Sequence, residues 1–328
     1  MNIAGSVALV TGSNRGIGRA FVYALIAGGA EKVYATARDP SKVADLVAAH
    51  PGRIEALKLD ITKQGDVDAA ATKCRDVELL INNAGINRKK GLIASPALDD
   101  ARDEMNINYF GTLAMCRAFA PVLKANGGGA IINMLSLLSR VALPAYGSLC
   151  ASKAAGLSLT QSVRAELAKQ GTFVLAVMPG ACDTDMERDF EGPKENPVDV
   201  VDAALKALKD GVEDIYPGGM AQGVTAGLAK DPKAVEGICD LPAAPSTRTT
   251  PRAEVTPVWL PGHNSHQGNR FERFASFFGG PMRFAYVTLL GALSGLPSSA
   301  HADVWLDFVN PGGLFKPSTF TQMVIARG

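Results

Sequence analysis

The run Val7-Ala8-Leu9-Val10, followed by Thr11-Gly12-Ser13-Asn14-Arg15-Gly16-Ile17-Gly18, constrains the fold more than any other part of the chain. A short apolar run that stops at a glycine cluster and resumes with helical periodicity through Ala27 reads as strand, tight turn and helix. Each glycine has a physical reason to be there. Gly12 permits the sharp turn, Gly16 lets the backbone approach a ligand closely, and Gly18 lets the helix pack on the sheet. A helix that begins at such a turn presents free N–H groups and a partial positive charge, which suits a phosphate.

The rest of the first 241 residues repeats the same grammar. Strand-like runs occur at Val33–Thr36, Ile54–Leu59, Leu79–Ile81, Ala130–Met134, Phe173–Met178 and Ile215–Tyr216, and several are apolar on nearly every residue, as expected of parallel strands buried on both faces. Helical stretches fall between them at Ile17–Ala27, Ser41–Ala49, Gln64–Ala71, Asp99–Lys124, Ser148–Lys169 and Val198–Lys209, with Asp39-Pro40-Ser41 and Asn196-Pro197 as helix starts. This alternation predicts an α/β fold, a doubly wound parallel sheet of Rossmann-like type in one domain.

Three further motifs follow in order. Asp60-Ile61 ends the third strand, Asn82-Asn83-Ala84-Gly85 the fourth, and Pro179-Gly180-Ala181-Cys182-Asp183-Thr184 the sixth. With the T-G-x-x-x-G-x-G spacing of residues 11–18, this series resembles the short-chain dehydrogenases/reductases. The resemblance implies a dinucleotide held by the loop residues Gly12, Ser13, Asn14, Arg15, Gly16, Ile17 and Gly18. It further implies adenine contacts from Asp60 and Ile61, cofactor contacts along Asn83, Ala84 and Gly85, and contacts to the carboxamide and a phosphate from Pro179, Gly180 and Thr184. The asparagines can also tie neighbouring strand ends together, and Asp60 can serve as a helix cap.

The end of the second strand bears on the choice of cofactor. NAD enzymes usually place an acid there for the ribose 2′-hydroxyl. Here that position is Ala37, followed by Arg38, which can pair bidentately with a 2′-phosphate, and Arg15 can approach the same group. NADP(H) is therefore expected over NAD(H). Asp39 as ribose acceptor in a shifted register is the alternative.

For the chemistry, the resemblance implies four residues: a tyrosine four positions before a lysine, a serine after the fifth strand, and an asparagine on the preceding long helix. Asn108, Ser136 and Lys153 match, the last within Ala151-Ser152-Lys153-Ala154-Ala155. Ser139 and Asn106 compete with Ser136 and Asn108. The tyrosine position holds Leu149, which has no proton to give. Tyr146 lies seven residues before Lys153, about 10 Å along a helix axis and too far for the usual coupling. Cys150 points off the Leu149 face. The function expected is an NADP(H)-dependent oxidoreductase acting on a carbonyl or alcohol, impaired at Leu149. A non-catalytic NADP(H)-binding sensor or scaffold is the alternative.

Composition narrows the partners. A net charge of +1 on 328 residues argues against nucleic acid and anionic membrane. Five cysteines, an odd number with no C-x-x-C pair, argue against a disulfide framework or a metal site and for a reducing cytoplasm. The apolar surface of the helices at 99–124 and 148–169 exceeds what one sheet face should cover, so a homodimer or homotetramer is expected. Beyond residue 241 the composition changes. Residues 242–281 read as a linker or disordered stretch. Within 282–328, Met282–Ala302 has the basic, apolar and A-x-A order of a signal peptide. Asp307–Gly328 resembles the opening of Rid-family enamine/imine deaminases. A truncated foreign segment and a natural C-terminal extension are both compatible with this stretch.

Overall fold

The computed structural model describes residues 1–238. The boundary near Leu241 and the segments 242–281 and 282–328 lie outside the described residues.

Seven parallel strands form one sheet: β1 (Val7–Val10), β2 (Lys32–Ala37), β3 (Ile54–Lys58), β4 (Leu79–Asn82), β5 (Ala130–Met134), β6 (Phe173–Val177) and β7 (Asp214–Ile215). Their order is β3-β2-β1-β4-β5-β6-β7. The winding direction reverses between β1 and β4, and that switch point opens a crevice at the C-terminal ends of the strands.

Successive residues of β1 feed opposite layers, as a period of two requires. Ala8 and Val10 join one core with Phe21, Val22 and Leu25 of α1 (Gly16–Ala27), Leu46 of α2 (Ala44–Ala49) and Val200, Ala204 and Leu208 of α7 (Pro197–Asp210). Val7 and Leu9 join the other with Val67 of α3 (Gln64–Lys73), Met115, Phe119 and Leu123 of α5 (Thr112–Ala125) and Leu159 of α6 (Gly147–Leu167). Phe21 and Phe119 are fully buried on opposite faces. Truncating either to alanine should cost about 3–5 kcal/mol.

The expected helix starts are present with their chemistry. Asn196 Oδ1 accepts from Val198 N at 2.9 Å ahead of Pro197. Asp39 Oδ1 accepts from Ser41 N at 3.0 Å, although the segment opens as a 3₁₀ turn, Pro40–Val43, before α2.

Two features depart from the sequence reading. The stretch 99–124 is not one α-helix. It runs as α4 (Asp99–Glu104), a π-helical turn Met105–Gly111, and then α5. Inside that turn the Asn108 side chain turns away to hold Ile86, and Thr112 Oγ1 donates to the Asn108 carbonyl at 3.0 Å. Such π-turns arise where a side chain competes with regular helix pairing. The second departure is a pair of helices after β7, α8 (Gly219–Lys230) and α9 (Pro232–Ile238). Glycines at 219, 223 and 227 hid the helical pattern of α8.

Candidate active site

The turn after β1 takes its shape from glycine. Gly12 (φ +68°) and Gly16 (φ +55°) are left-handed, and a Cβ on Gly12 would sit 3.1 Å from Ala84 Cα. A Cβ on Gly18 would collide with Gly12 O and Asn83 Nδ2, so α1 can approach the sheet only with glycine there. Arg15 stands at the N-cap of α1 without a side-chain capping bond, and the first turn holds no acidic residue. The amides and partial positive charge of this helix end thus face the crevice unmet.

Around this turn the strand ends are laced together. Thr11 Oγ1 donates to Ile81 O at 3.3 Å and accepts from Asn83 N at 2.8 Å and Ala84 N at 3.0 Å. Asn83 Nδ2 donates to Thr11 O at 2.9 Å and Gly12 O at 3.2 Å. Asn82 Nδ2 donates to Asn133 Oδ1 at 2.9 Å on β5. The two asparagines tie β1, β4 and β5 at the switch point.

Most residues singled out in the sequence line a single cleft here. Gly12, Asn14, Arg15, Gly16 and Ile17 form the α1 side, and Arg38, Asp60 and Ile61 the side of β2 and β3. Asn83, Ala84 and Gly85 lie along the β4 exit, and Lys153 and Thr184 on the facing wall. Thr184 approaches the glycine turn so closely that a Cβ on Gly16 would lie 3.2 Å from its Cγ2. Partial burial opposes ionisation of Asp60. Hydrogen bonds from Thr62 N and Oγ1, with Lys63 and Arg38 nearby, outweigh it and hold the carboxyl below its usual range. Asp60 therefore acts as the acceptor of a local turn and is still open to the cleft.

Others stand behind the lining. Ser13 is fully buried, its Oγ donating to Val10 O at 2.7 Å and accepting from Thr36 N at 3.1 Å. Its side chain fastens the loop to β2 and points away from the cleft. Gly18 is a packing position. Pro179 O accepts from Leu137 N at 2.8 Å, and Gly180 packs under Met220 of α8.

At the chemical end, Asn108 is buried while Asn106 faces solvent. Asn108 Oδ1 accepts from Ile86 N at 2.9 Å, and its Nδ2 donates to Ile86 O at 3.0 Å and Ser152 Oγ at 2.9 Å. Lys153 Nζ donates to Met134 O at 2.9 Å. Burial pulls the Lys153 ammonium down to about 8, against an opposing pull from Glu104. Ser136 Oγ accepts from Leu138 N at 3.2 Å, capping a short turn after β5. That bond leaves its own O–H free to donate. Ser139 is buried with no partner for its Oγ among the described residues.

Leu149 is buried on α6, one turn before Lys153. Tyr146 precedes the helix and is half-buried. Burial pushes its phenol up, with the charge of Glu187 adding to the shift. The charges of Lys89 and Asp189 also act on it. Cys150 Sγ accepts from Leu143 N at 3.3 Å. Glu104, fully buried one helical turn before Asn108, was not singled out from the sequence, nor was Ser152 as the partner of Asn108. Glu104 lies in a run of charged residues, Asp99-Asp100-Ala101-Arg102-Asp103-Glu104, so no local pattern marks it as the buried one.

No group of His, Cys, Asp and Glu suited to a metal ion occurs among the described residues, and no described helix is long and apolar enough to cross a membrane.

The comparisons with known proteins agree with this geometry. A crystal structure of a short chain dehydrogenase from Burkholderia cenocepacia J2315 in complex with NADP is 47% identical. It covers 74% of this chain and 100% of its own, with a TM-score of 0.70. A short chain dehydrogenase/reductase from Burkholderia phymatum in complex with NAD shares the fold, at 22% identity, a TM-score of 0.66 and coverage of 71% and 96%. A sorbitol dehydrogenase of Cereibacter sphaeroides is 36% identical over 192 residues, 56% of this chain and 73% of its own length. Residues 6–194, from before the glycine turn to beyond Thr184, match the family described as short chain dehydrogenase, and the chain belongs to that family of oxidoreductases.

Proposed function

We propose that the protein is an NADP(H)-dependent oxidoreductase acting on a carbonyl or alcohol, with its proton-donating step weakened by Leu149. The observation that carries the cofactor reading is the end of β2. Ala37 offers no acid, and Arg38 is exposed at the cleft with no ion-pair partner among the described residues. Asp39, the alternative ribose acceptor, has its carboxylate bonded to Ser41 N and Oγ and does not line the cleft. Arg15 is ion-paired to Asp185 at 3.1 Å across the mouth, so Arg38 is the readier partner for a 2′-phosphate. Calorimetric titration with NADPH and NADH tests this; equal affinities would overturn it.

The residues present fit a dinucleotide: a glycine turn that excludes side chains, an unmet helix end for the pyrophosphate, and an open edge beside Arg38. When bound, the nicotinamide gives or takes a hydride. The chain's part is to hold and orient. Lys153 is placed to hold a ribose, and the Ser136 O–H is free to polarise a carbonyl oxygen. Asn108 fixes both the β4 exit, through Ile86, and the α6 segment, through Ser152. Leu149 cannot protonate the alkoxide, and on this reading water does so.

The buried Leu149 also supports a second reading, a non-catalytic NADP(H)-binding protein. Turnover on a broad carbonyl panel separates the two; cofactor binding does not. The substrate in the first reading is a small molecule, and neither nucleic acid nor a membrane is a partner.

We place the protein in the cytoplasm, in keeping with the buried thiols of Cys74, Cys116 and Cys182. A homodimer or homotetramer is proposed through the groove of α5 and α6 that holds Leu113, Arg117, Ser162 and Val163. A monomeric mass by light scattering at micromolar concentration would refute that assembly.

A further inference from the structure

Glu104 is a fully buried carboxylate at the end of α4, facing inward against α6. Its Oε1 accepts from Arg88 N at 2.6 Å. Its Oε2 is buried with no hydrogen-bond partner among the described residues. An ionised carboxylate in such a place needs a counter-charge, because one amide does not compensate for lost hydration.

A candidate cation, Lys153, lies at the other side of the β4 exit. Glu104 and Asn108 lie one turn apart on the same helical face and hold consecutive pieces of the β4 exit, Arg88 and Ile86. Just upstream, a Cβ on Gly85 would lie 3.0 Å from Asn108 Oδ1 and 3.7 Å from Lys153 Nζ. The Lys153 ammonium therefore sits at the side of the segment that Glu104 anchors. The other elements around Lys153 present uncharged groups: the Met134 carbonyl from β5, Asn108 from the π-turn, and Gly85 and Ile86 from the β4 exit. The charge of Glu104 opposes the effect of burial on Lys153.

We infer that Glu104 is a positioning residue of this site, the buried counter-charge that keeps Lys153 a cation where it faces the cleft. The inference rests on reading Lys153 as the cation of the cofactor cleft. The sign follows from charge alone. Burial drives Lys153 toward the neutral amine, and a nearby carboxylate opposes that drive. Remove the carboxylate, and the amine should lose its proton at lower pH.

The test is competitive trace acetylation of the protein without cofactor, across pH, with the Lys153 peptide read by mass spectrometry. The unmodified protein should show a midpoint near 8. Glu104→Gln keeps an oxygen for Arg88 N and removes only the charge, and the midpoint should fall by about one pH unit. Glu104→Asp, which restores the charge, should recover most of that shift. An unchanged midpoint in Glu104→Gln would mean that the carboxylate merely caps Arg88, and the inference falls.

Should Glu104→Gln fail to fold, carbon NMR of the unmodified protein carrying 13C-carboxyl glutamate gives the same answer. The Glu104 resonance should step at the Lys153 midpoint, and a flat line through it overturns the proposal. Neither experiment uses NADPH. Failure here therefore leaves the cofactor reading standing, and absence of NADPH binding would leave the Glu104–Lys153 pairing intact.

Discussion

The two ends of the cleft are built from different materials. The cofactor end is largely backbone: a glycine turn, a helix terminus, and strand ends laced by Thr11, Asn82 and Asn83. Its side chains mostly fasten the frame, as Ser13 does between β1 and β2. The proposed chemical end relies instead on a few side chains, and on that proposal a single residue there matters out of proportion. Leu149 disturbs neither α6 nor the Asn108–Ser152 bond, yet it leaves the helix with no proton donor one turn before Lys153. A frame of main-chain bonds tolerates changes of side chain, whereas a proton donor cannot be replaced by shape.

The largest test of that contrast is Leu149→Tyr. A positioned general acid is typically worth roughly 10² to 10⁴-fold. With Lys153, Ser136 and Asn108 in place, kcat/KM on an activated ketone should rise by about that factor while NADPH affinity holds steady. A parent already vigorous, with nothing gained from the phenol, would show that another group supplies the proton. Tyr146 is then the residue to replace.

At the cofactor end the largest expected effect comes from Arg38→Ala. Hydrogen bonds to a charged group are worth about 1.5–3 kcal/mol, so NADPH affinity should fall roughly 10- to 100-fold and NADH affinity should barely move. Equal loss for both cofactors in calorimetry would put Arg38 on a shared part of the dinucleotide.

Gly18→Ala attacks the frame itself. The new methyl meets Gly12 O and Asn83 Nδ2, which are held by the strand lacing and cannot yield cheaply. Overpacking of this kind costs about 1–3 kcal/mol, readable as a lower urea midpoint. Unchanged stability would show that the turn is softer than its bonds suggest.

The same contrast explains what the sequence made legible. Buried parallel strands announce themselves by continuous apolar runs, and β1, β5 and β6 fall within a residue of where those runs place them. The glycines that shape the turn carry their own signature. Four features are not legible. The π-turn coincides with a tertiary bond, Asn108 to Ile86, that no local pattern encodes. α8 is glycine-rich and owes its shape to packing over Gly180. Ser13 sits inside the fingerprint but faces the sheet, because in a tight turn neighbouring side chains point opposite ways. Glu104 was passed over because burial of an acid cannot be read from one chain's spacing.

The smallest expected effect concerns the ammonium of Lys153, half-buried at the chemical end. Its folded value is lowered to about 8 from an ordinary 10.5, so between those values the unfolded chain binds more protons than the folded one. Stability therefore rises with pH across that window as the buried charge is lost. Below about pH 8 both states are protonated and the full penalty remains. Lys153→Met keeps the volume and removes the charge. The unmodified protein should gain on this variant by about 1 kcal/mol between roughly pH 7.5 and 10, a figure kept small because the amine opens on a solvated cleft. Denaturation by urea at the two pH values, compared between the two proteins, cancels the other groups that titrate in that range. The lost bond to the Met134 carbonyl shifts the whole difference by a constant, since a neutral amine also donates, so the slope carries the information. A flat difference would mean that Lys153 keeps an ordinary proton affinity, and that Glu104 and the cleft solvate it as well as water does.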